Sequence, residues 1–378
     1  MFGIIKIALK LLMNDKGKFN ALLMGITFAV FLMVMMMSMF SGILYRASSS
    51  VNNVGARIWV LDPAVNNVSS SIPMPDYVLD FAKSIKGVQH AEPIYFGGAL
   101  AKLQDGTFQG VSIIGLDDAT LYGRPNLLEG KIEDIYAENG FIVVKDAEFN
   151  KLKNPKMGTE FEINDHQVKV VGIAKVSQSG LFGVPTLYTT YNRAITYIPS
   201  SRFTMSFVLI ESKSEADIPN IQQQIKNLGY EALTREQFTD KIASFYKFKT
   251  GIGINILLMT SISFIVGLSI SGQTFYTFIL ENIDKFGALK AIGAQGRDLI
   301  TMILVQATFS CLIGYGLGVG LATSLMILAK WYMPDYAAQV TYLVLGLALV
   351  LVVIIAIFSS YIGVRKVLQI QPFDIFRG

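Results

Sequence analysis

The chain has 378 residues, 52% hydrophobic and only 16% charged, and its mean hydropathy of +0.46 is too high for an ordinary soluble domain. A formal net charge of +4, with basic residues gathered near the apolar runs, argues against nucleic-acid binding and for contact with anionic lipid. One cysteine, Cys311, excludes an intrachain disulfide, and two isolated histidines, His90 and His166, argue against a zinc site.

In chain order, residues 1–18 place Ile5, Leu9 and Leu12 on one helical face with Lys6 and Lys10 beside it, which predicts a surface helix on the inner leaflet. The charge-free run 19–45 is long enough to span a bilayer, which needs about 20 apolar residues. Its length also exceeds a typical signal-peptide core of about 7 to 15 residues, favouring an uncleaved anchor. Its many methionines, from Met33 to Met39, suit packing or lipid contact better than metal binding.

Residues 46–249 form one large polar segment, predicted to be an α+β exported domain. Two similar units bound it. In the first, 57–61 alternates as a strand, 75–86 reads as a helix stopped by Gly87, and 88–94 returns as a strand. In the second, 205–210 is a strand, Ser214 with Asp217 resembles a capping box before a helix through Asn227, and 230–233 closes the unit. Together they predict a split β-α-β base over 46–98 and 201–249. Between them, 99–200 reads as a mainly β insert with strands at 109–115, 140–144, 161–163, 168–173 and 186–191. The stretch Asn164-Asp165-His166-Gln167 reads as the connection of a hairpin. The loop 177–184 carries Leu181 and Phe182, a candidate partner-facing pair, against the alternative that it tucks onto its own strands.

Three further charge-free runs follow: 250–280, 299–329 and 336–364. Between the first two lies 281–298, with a charged first turn containing Glu281 and Asp284, then Phe286, Leu289, Lys290 and Gly293 at helical spacing. This predicts a short helix ended by glycine at the membrane surface. In the third membrane run, Gly314 and Gly318 stand four apart, the spacing that lets helix backbones approach closely. Trp331, Tyr332 and Tyr336 mark the opposite interface, and a basic tail, 365–378, ends the chain. Basic residues concentrate before the first run, in 281–298 and in the tail, which puts both termini in the cytoplasm and the large segment outside.

No GxxxxGK[ST], HExxH or GxSxG motif occurs. The four runs contain no Asp, Glu, Lys or Arg, whereas ion-coupled carriers bury such groups along their pathway. No catalytic residue is assigned, and no cofactor is expected on this chain.

One run, a large exported segment and three more runs, together with ENIDKFGALKAIGAQGRDL at 281–299, resemble the FtsX-like permeases of ABC systems, a superfamily that includes MacB and LolC/LolE. Glu281, Gly287, Leu289, Lys290, Ala291, Ile292, Gly293 and Ala294 match the family loop, while Lys285-Phe286 is closer to DevC-type permeases. Residues 157–174 resemble a stretch of the MacB-type exported core, and Pro372 to Arg377 are similar to the family's closing motif. The resemblance implies a homodimer in the bacterial inner membrane, working by mechanotransmission with two copies of a separate cytoplasmic ABC ATPase that binds ATP and Mg. A MacB-like chain would carry that ATPase fused to it. The resemblance also implies coupling to the ATPase through Glu281, Asp284, Lys285, Phe286, Gly287, Leu289, Lys290, Gly293 and Ala294, and a periplasmic adaptor with an outer-membrane channel. An FtsX-like regulator of a cell-wall hydrolase and LolC/LolE-like lipoprotein release are the alternatives.

Overall fold

The computed structural model describes residues 2–181, 183–198 and 205–368; Phe182 and the closing Pro372 to Arg377 stretch lie outside them. In chain order the elements are α1 (Phe2–Asn14), α2 (Lys16–Ala47), α3 (Ser49–Val54), β1 (Ile58–Leu61), α4 (Tyr77–Ser84), β2 (Val88–Lys102), β3 (Phe108–Leu116), β4 (Asn126–Gly130), β5 (Gly140–Val144), β6 (Glu160–Ile163), β7 (His166–Lys175) and β8 (Thr186–Thr190). There follow α5 (Tyr191–Tyr197), β9 (Phe207–Ser212), α6 (Ile218–Asn227), β10 (Glu231–Thr234), α7 (Arg235–Ser244), α8 (Gly251–Glu281), α9 (Ile283–Ala291), α10 (Gly296–Tyr332) and α11 (Tyr342–Leu368). Two compact units result. One holds α1, α2 up to Gly42, α8 from Ile252, and α9 to α11; the other holds Ile43–Gly251 together with Met333–Ala337.

In the helical unit, α2, α8, α10 and α11 are each long and apolar enough to cross a membrane. Small residues bring these helices together where larger side chains would hold them apart. A Cβ added to Gly314 would lie 2.6 Å from Ile26, and one on Gly318 would lie 2.6 Å from Val30 and 2.8 Å from the Thr27 carbonyl. Gly316 and Gly320 face open space. On α1, Ala8 and Leu12 are fully buried, and the Gln306 side-chain amide of α10 donates to the Ala8 carbonyl at 2.8 Å. The fourth long helix starts at Tyr342, six residues after the charge-free run begins at 336. Thr341 sets that start: its hydroxyl accepts from the Val344 amide at 3.3 Å as an N-cap.

The second unit is built on one ten-stranded mixed sheet, ordered β10-β1-β9-β2-β3-β8-β5-β7-β4, with β6 pairing β2 and β7. The first four strands, all antiparallel to their neighbours, are the split β-α-β base. Alternation places Ile58, Val60, Val208 and Ile210 against Val78, Ala82, Ile221 and Ile225 of α4 and α6. On the other face Trp59 packs against Phe207 and Phe238, their ring centroids 5.5 and 5.6 Å away. With helices on both faces, every residue of β1 is buried.

Base and insert share a sheet because β2 runs for 15 residues, pairing β9 along its first half and β3 along its second. The β6–β7 hairpin turns on Asn164 and Asp165 alone, both at positive φ (46° and 67°), a conformation these side chains tolerate; His166 and Gln167 already belong to β7. The capping box expected at Ser214 does not form. Instead the Ser214 hydroxyl donates to the Asp217 carboxylate at 3.0 Å and accepts from no helix amide. A complete capping box exists at Thr234 and Gln237, at the start of α7.

Candidate coupling site

The segment 281–298 is shaped by two local breaks. At the first, Asn282 interrupts the helix for one residue, its backbone at φ −103° and ψ 13°. Its side chain is buried, donating to the Phe278 carbonyl at 2.8 Å and accepting from the Lys285 ammonium at 2.8 Å. The chain therefore redirects between α8 and α9 without leaving a buried amide unpaired. At the second break, Gly293 takes φ +106°, a left-handed conformation that favours glycine, and closes α9 through its amide to the Lys290 carbonyl at 3.1 Å. The Ala294 amide returns to the Leu289 carbonyl at 3.0 Å, and Asp298 caps α10 by accepting from the Gln295 amide at 3.0 Å.

Between these breaks α9 has one anchored side and one open side. Phe286 and Gly287 are buried, Leu289, Lys290 and Ala294 are half-buried, and Glu281, Asp284 and Lys285 are exposed. Ile292, at the open end, is 85% exposed, high for a large apolar side chain at the end of a helix. The Lys290 ammonium lies 3.4 Å from the Leu368 carbonyl, on the last described residue of α11. Glu281 pairs with Lys18, which also pairs with Asp15 at 2.8 Å, so the ends of α8 and α2 meet through charge. Lys18 and Asn282 were not singled out from sequence. A charged or amide residue bordering an apolar run is the signal that could have found them, and it is weak.

The remaining assigned residues are placed as follows. Lys6 and Lys10 are exposed on α1. Leu181 is half-buried and lines a cavity of about 300 Å³ with Phe96, Val111, Ser112, Val184 and Thr186. The 177–184 loop is held to α3 by Asn53, which donates to the Gln178 carbonyl at 2.7 Å and accepts from the Ser177 hydroxyl at 2.8 Å. His90 packs edge-on against Tyr122, and His166 stacks on Tyr197. Among the described residues, no three His, Cys, Asp or Glu side chains converge to hold a metal ion.

Among the described residues, four membrane-length helices, one before and three after an α/β domain, define a multi-pass membrane protein. Residues 21–228 match the MacB-like periplasmic core domain, and residues 255–372 match the FtsX-like permease C-terminal domain. The chain belongs to the FtsX/MacB-type family of ABC transporter permeases.

Among its relatives, an ABC transporter permease of Mycobacterium tuberculosis is 24% identical over 89% of this chain and 89% of its own. One of Methanocaldococcus jannaschii is 22% identical over 99% of this chain and 98% of its own. A protein named for hemin transport, the permease HrtB of Staphylococcus haemolyticus, is 26% identical over 41% of this chain and 42% of its own. Of solved structures, the periplasmic region of MacB from Actinobacillus actinomycetemcomitans covers 50% of this chain and 92% of its own at 10% identity, with a TM-score of 0.38. The extracellular domain of YknZ, from Gram-positive bacteria, covers 47% of this chain and 99% of its own at 14% identity, with a TM-score of 0.36.

Proposed function

We propose that this chain is the membrane subunit of an ATP-driven exporter that works by mechanotransmission. It acts as a homodimer in the bacterial inner membrane with both termini in the cytoplasm, and α1 lies on the inner leaflet with Lys6 and Lys10 toward anionic headgroups. Two copies of a separate cytoplasmic ATPase bind ATP and Mg. Each docks on 281–298, where Glu281, Asp284, Lys285 and the end of α9 offer charge and an apolar contact. Closure of the ATPases displaces α9, the membrane helices carry the displacement, and the exported domain expels cargo from the periplasmic side into an adaptor and an outer-membrane channel.

The observation that carries this reading is α9: a short helix with an open side, joining two membrane helices that have no charged residue in the runs 250–280 and 299–329. Such spans offer no ion pathway, so work has to enter through the connections. Hemin and macrolides, for which relatives are named, are bulky amphipathic molecules, and that class supplies the first cargoes to test.

The test is ATPase activity and cargo release by the complex in nanodiscs. Gly287→Pro breaks α9 in its middle, and Glu281→Lys replaces the partner of Lys18 with a like charge. Both variants are expected to hydrolyse ATP without export, with the α/β domain folded. Wild-type export by both, or failure of any ATPase to copurify with the chain, would sink the proposal.

A further inference from the structure

The turn Met333–Ala337, which connects α10 to α11, belongs by its contacts to the α/β unit. Two cations grip it. The Arg46 guanidinium donates to two successive carbonyls, at 2.8 Å to Asp335 and 3.2 Å to Pro334. The Lys151 ammonium stands 3.3 Å from the Asp335 carboxylate, 2.7 Å from the Gly183 carbonyl and 2.7 Å from Glu148 Oε2. Its three protons thus meet three acceptors, drawn from the Phe149–Leu152 turn region, the loop before β8 and the α10–α11 turn.

The base of this arrangement is buried. Glu148 is fully buried, and among the described residues its carboxylate has no partner beyond the Lys151 ammonium. Glu148 and Asp335 hold the Lys151 ammonium above its usual pKa, so it stays charged. Gly183 sits at φ +63°, and a Cβ there would come within 2.9 Å of the ammonium. The glycine keeps that approach open.

We propose that Lys151 and Arg46 form a closed clasp that makes Met333–Ala337 a working part of the α/β domain. Displacement of the α10–α11 hairpin is then delivered to the domain at this turn, in addition to the direct chain links at the ends of α2 and α8. The delivery step rests on the exporter reading; the clasp itself does not. Arg46, Lys151 and Asp335 are positioning residues in this scheme.

The test leaves Lys151 in place, since removing it would strand the buried Glu148 charge. Spin labels are attached at Met333→Cys and Glu133→Cys, both exposed, in the full chain with Cys311→Ser, in nanodiscs. Without nucleotide, the label distance should be narrowly distributed in the wild-type background. It should broaden in Arg46→Gln/Asp335→Ala and narrow again in Arg46→Gln/Asp335→Glu relative to that double variant. An equally narrow distribution in Arg46→Gln/Asp335→Ala would overturn the clasp. With the ATPase present, ATP and vanadate should shift a second pair, Ala288→Cys with Glu133→Cys, and leave the 333–133 distance unchanged. A shift of the 333–133 distance overturns the clasp alone, whereas a static 288–133 distance overturns the exporter reading alone.

Discussion

The two connections that join the last three membrane helices are built in opposite ways. In residues 282–295, Asn282 and Gly293 bracket α9, the backbone hydrogen bonds are short in range, the Lys290 ammonium reaches the Leu368 carbonyl, and Ile292 is left exposed. Residues 333–341 form no helix, and their order comes from distant partners, with Arg46 and Lys151 holding Met333–Ala337 and the Gln339 amide donating to the Ser38 carbonyl at 2.9 Å. One connection leaves a large apolar side chain exposed at its end, while the other is gripped by charged groups from distant parts of the chain. The difference lies in what satisfies the backbone carbonyls, neighbouring amides around α9 in the first case and the remote Arg46 guanidinium at Pro334 and Asp335 in the second.

Removing the counter-charge of the buried Glu148 should have the largest effect. Lys151→Met leaves Glu148 buried without its counter-charge and should lower stability by about 3–5 kcal/mol. Denaturant unfolding followed by the fluorescence of the buried Trp59 measures it. A loss no greater than that of a typical surface substitution would mean that Glu148 does not depend on the clasp.

Next in size is a pH effect beside the clamp. Burial, as the leading cause, pushes the Asp146 carboxyl from 3.8 up to about 6. The folded domain therefore binds that proton more tightly than the unfolded chain. The resulting stability is complete below pH 3.8 and is lost as pH rises through about 6. Asp146→Asn keeps an acceptor for the Glu148 amide, which lies 3.0 Å from Oδ1. It should flatten this slope and, above pH 6, stabilise the domain on the order of 2 kcal/mol after allowance for partial exposure. A wild-type pH profile in the variant would remove Asp146 as the source.

Thr341→Ala sharpens the comparison at the start of α11. Loss of the cap should cost about 1 kcal/mol and raise amide exchange at Val344, with α10 unaffected. The smallest effect is expected on the open connection. Ile292→Ser should change stability by less than about 0.5 kcal/mol, because the side chain is 85% exposed, yet reduce the yield of copurified ATPase. Unchanged copurification would take Ile292 out of the docking surface.

Much of the fold could be read along the chain because its signals are local. Run length marked the membrane helices, alternation marked β1, short apolar runs marked β5, β7 and β9, and glycine marked the end of α9. The short α5 was missed because its seven residues, 191–197, follow a β-rich stretch and its N-cap, Thr190, reads equally well as part of the strand 186–191. The β4 strand was missed because its residues are largely exposed and do not alternate. At the candidate coupling site the helix α9 itself was legible, since its pattern is contiguous. Lys18, far away in sequence, was not.

What the sequence determined by itself was therefore the order and kind of the main parts: four membrane-length helices, a split β-α-β base, a β insert and a glycine-ended helix at 281–298. Each follows from apolar spacing or backbone freedom within a few residues. Only the tertiary structure decided that β2 carries one sheet through base and insert, that Gly314 and Gly318 face α2 while Gly316 does not, and that Lys151 holds Asp335. These depend on strand register, helix rotation and the desolvation of a buried carboxylate, and all three are set by atoms remote in the chain.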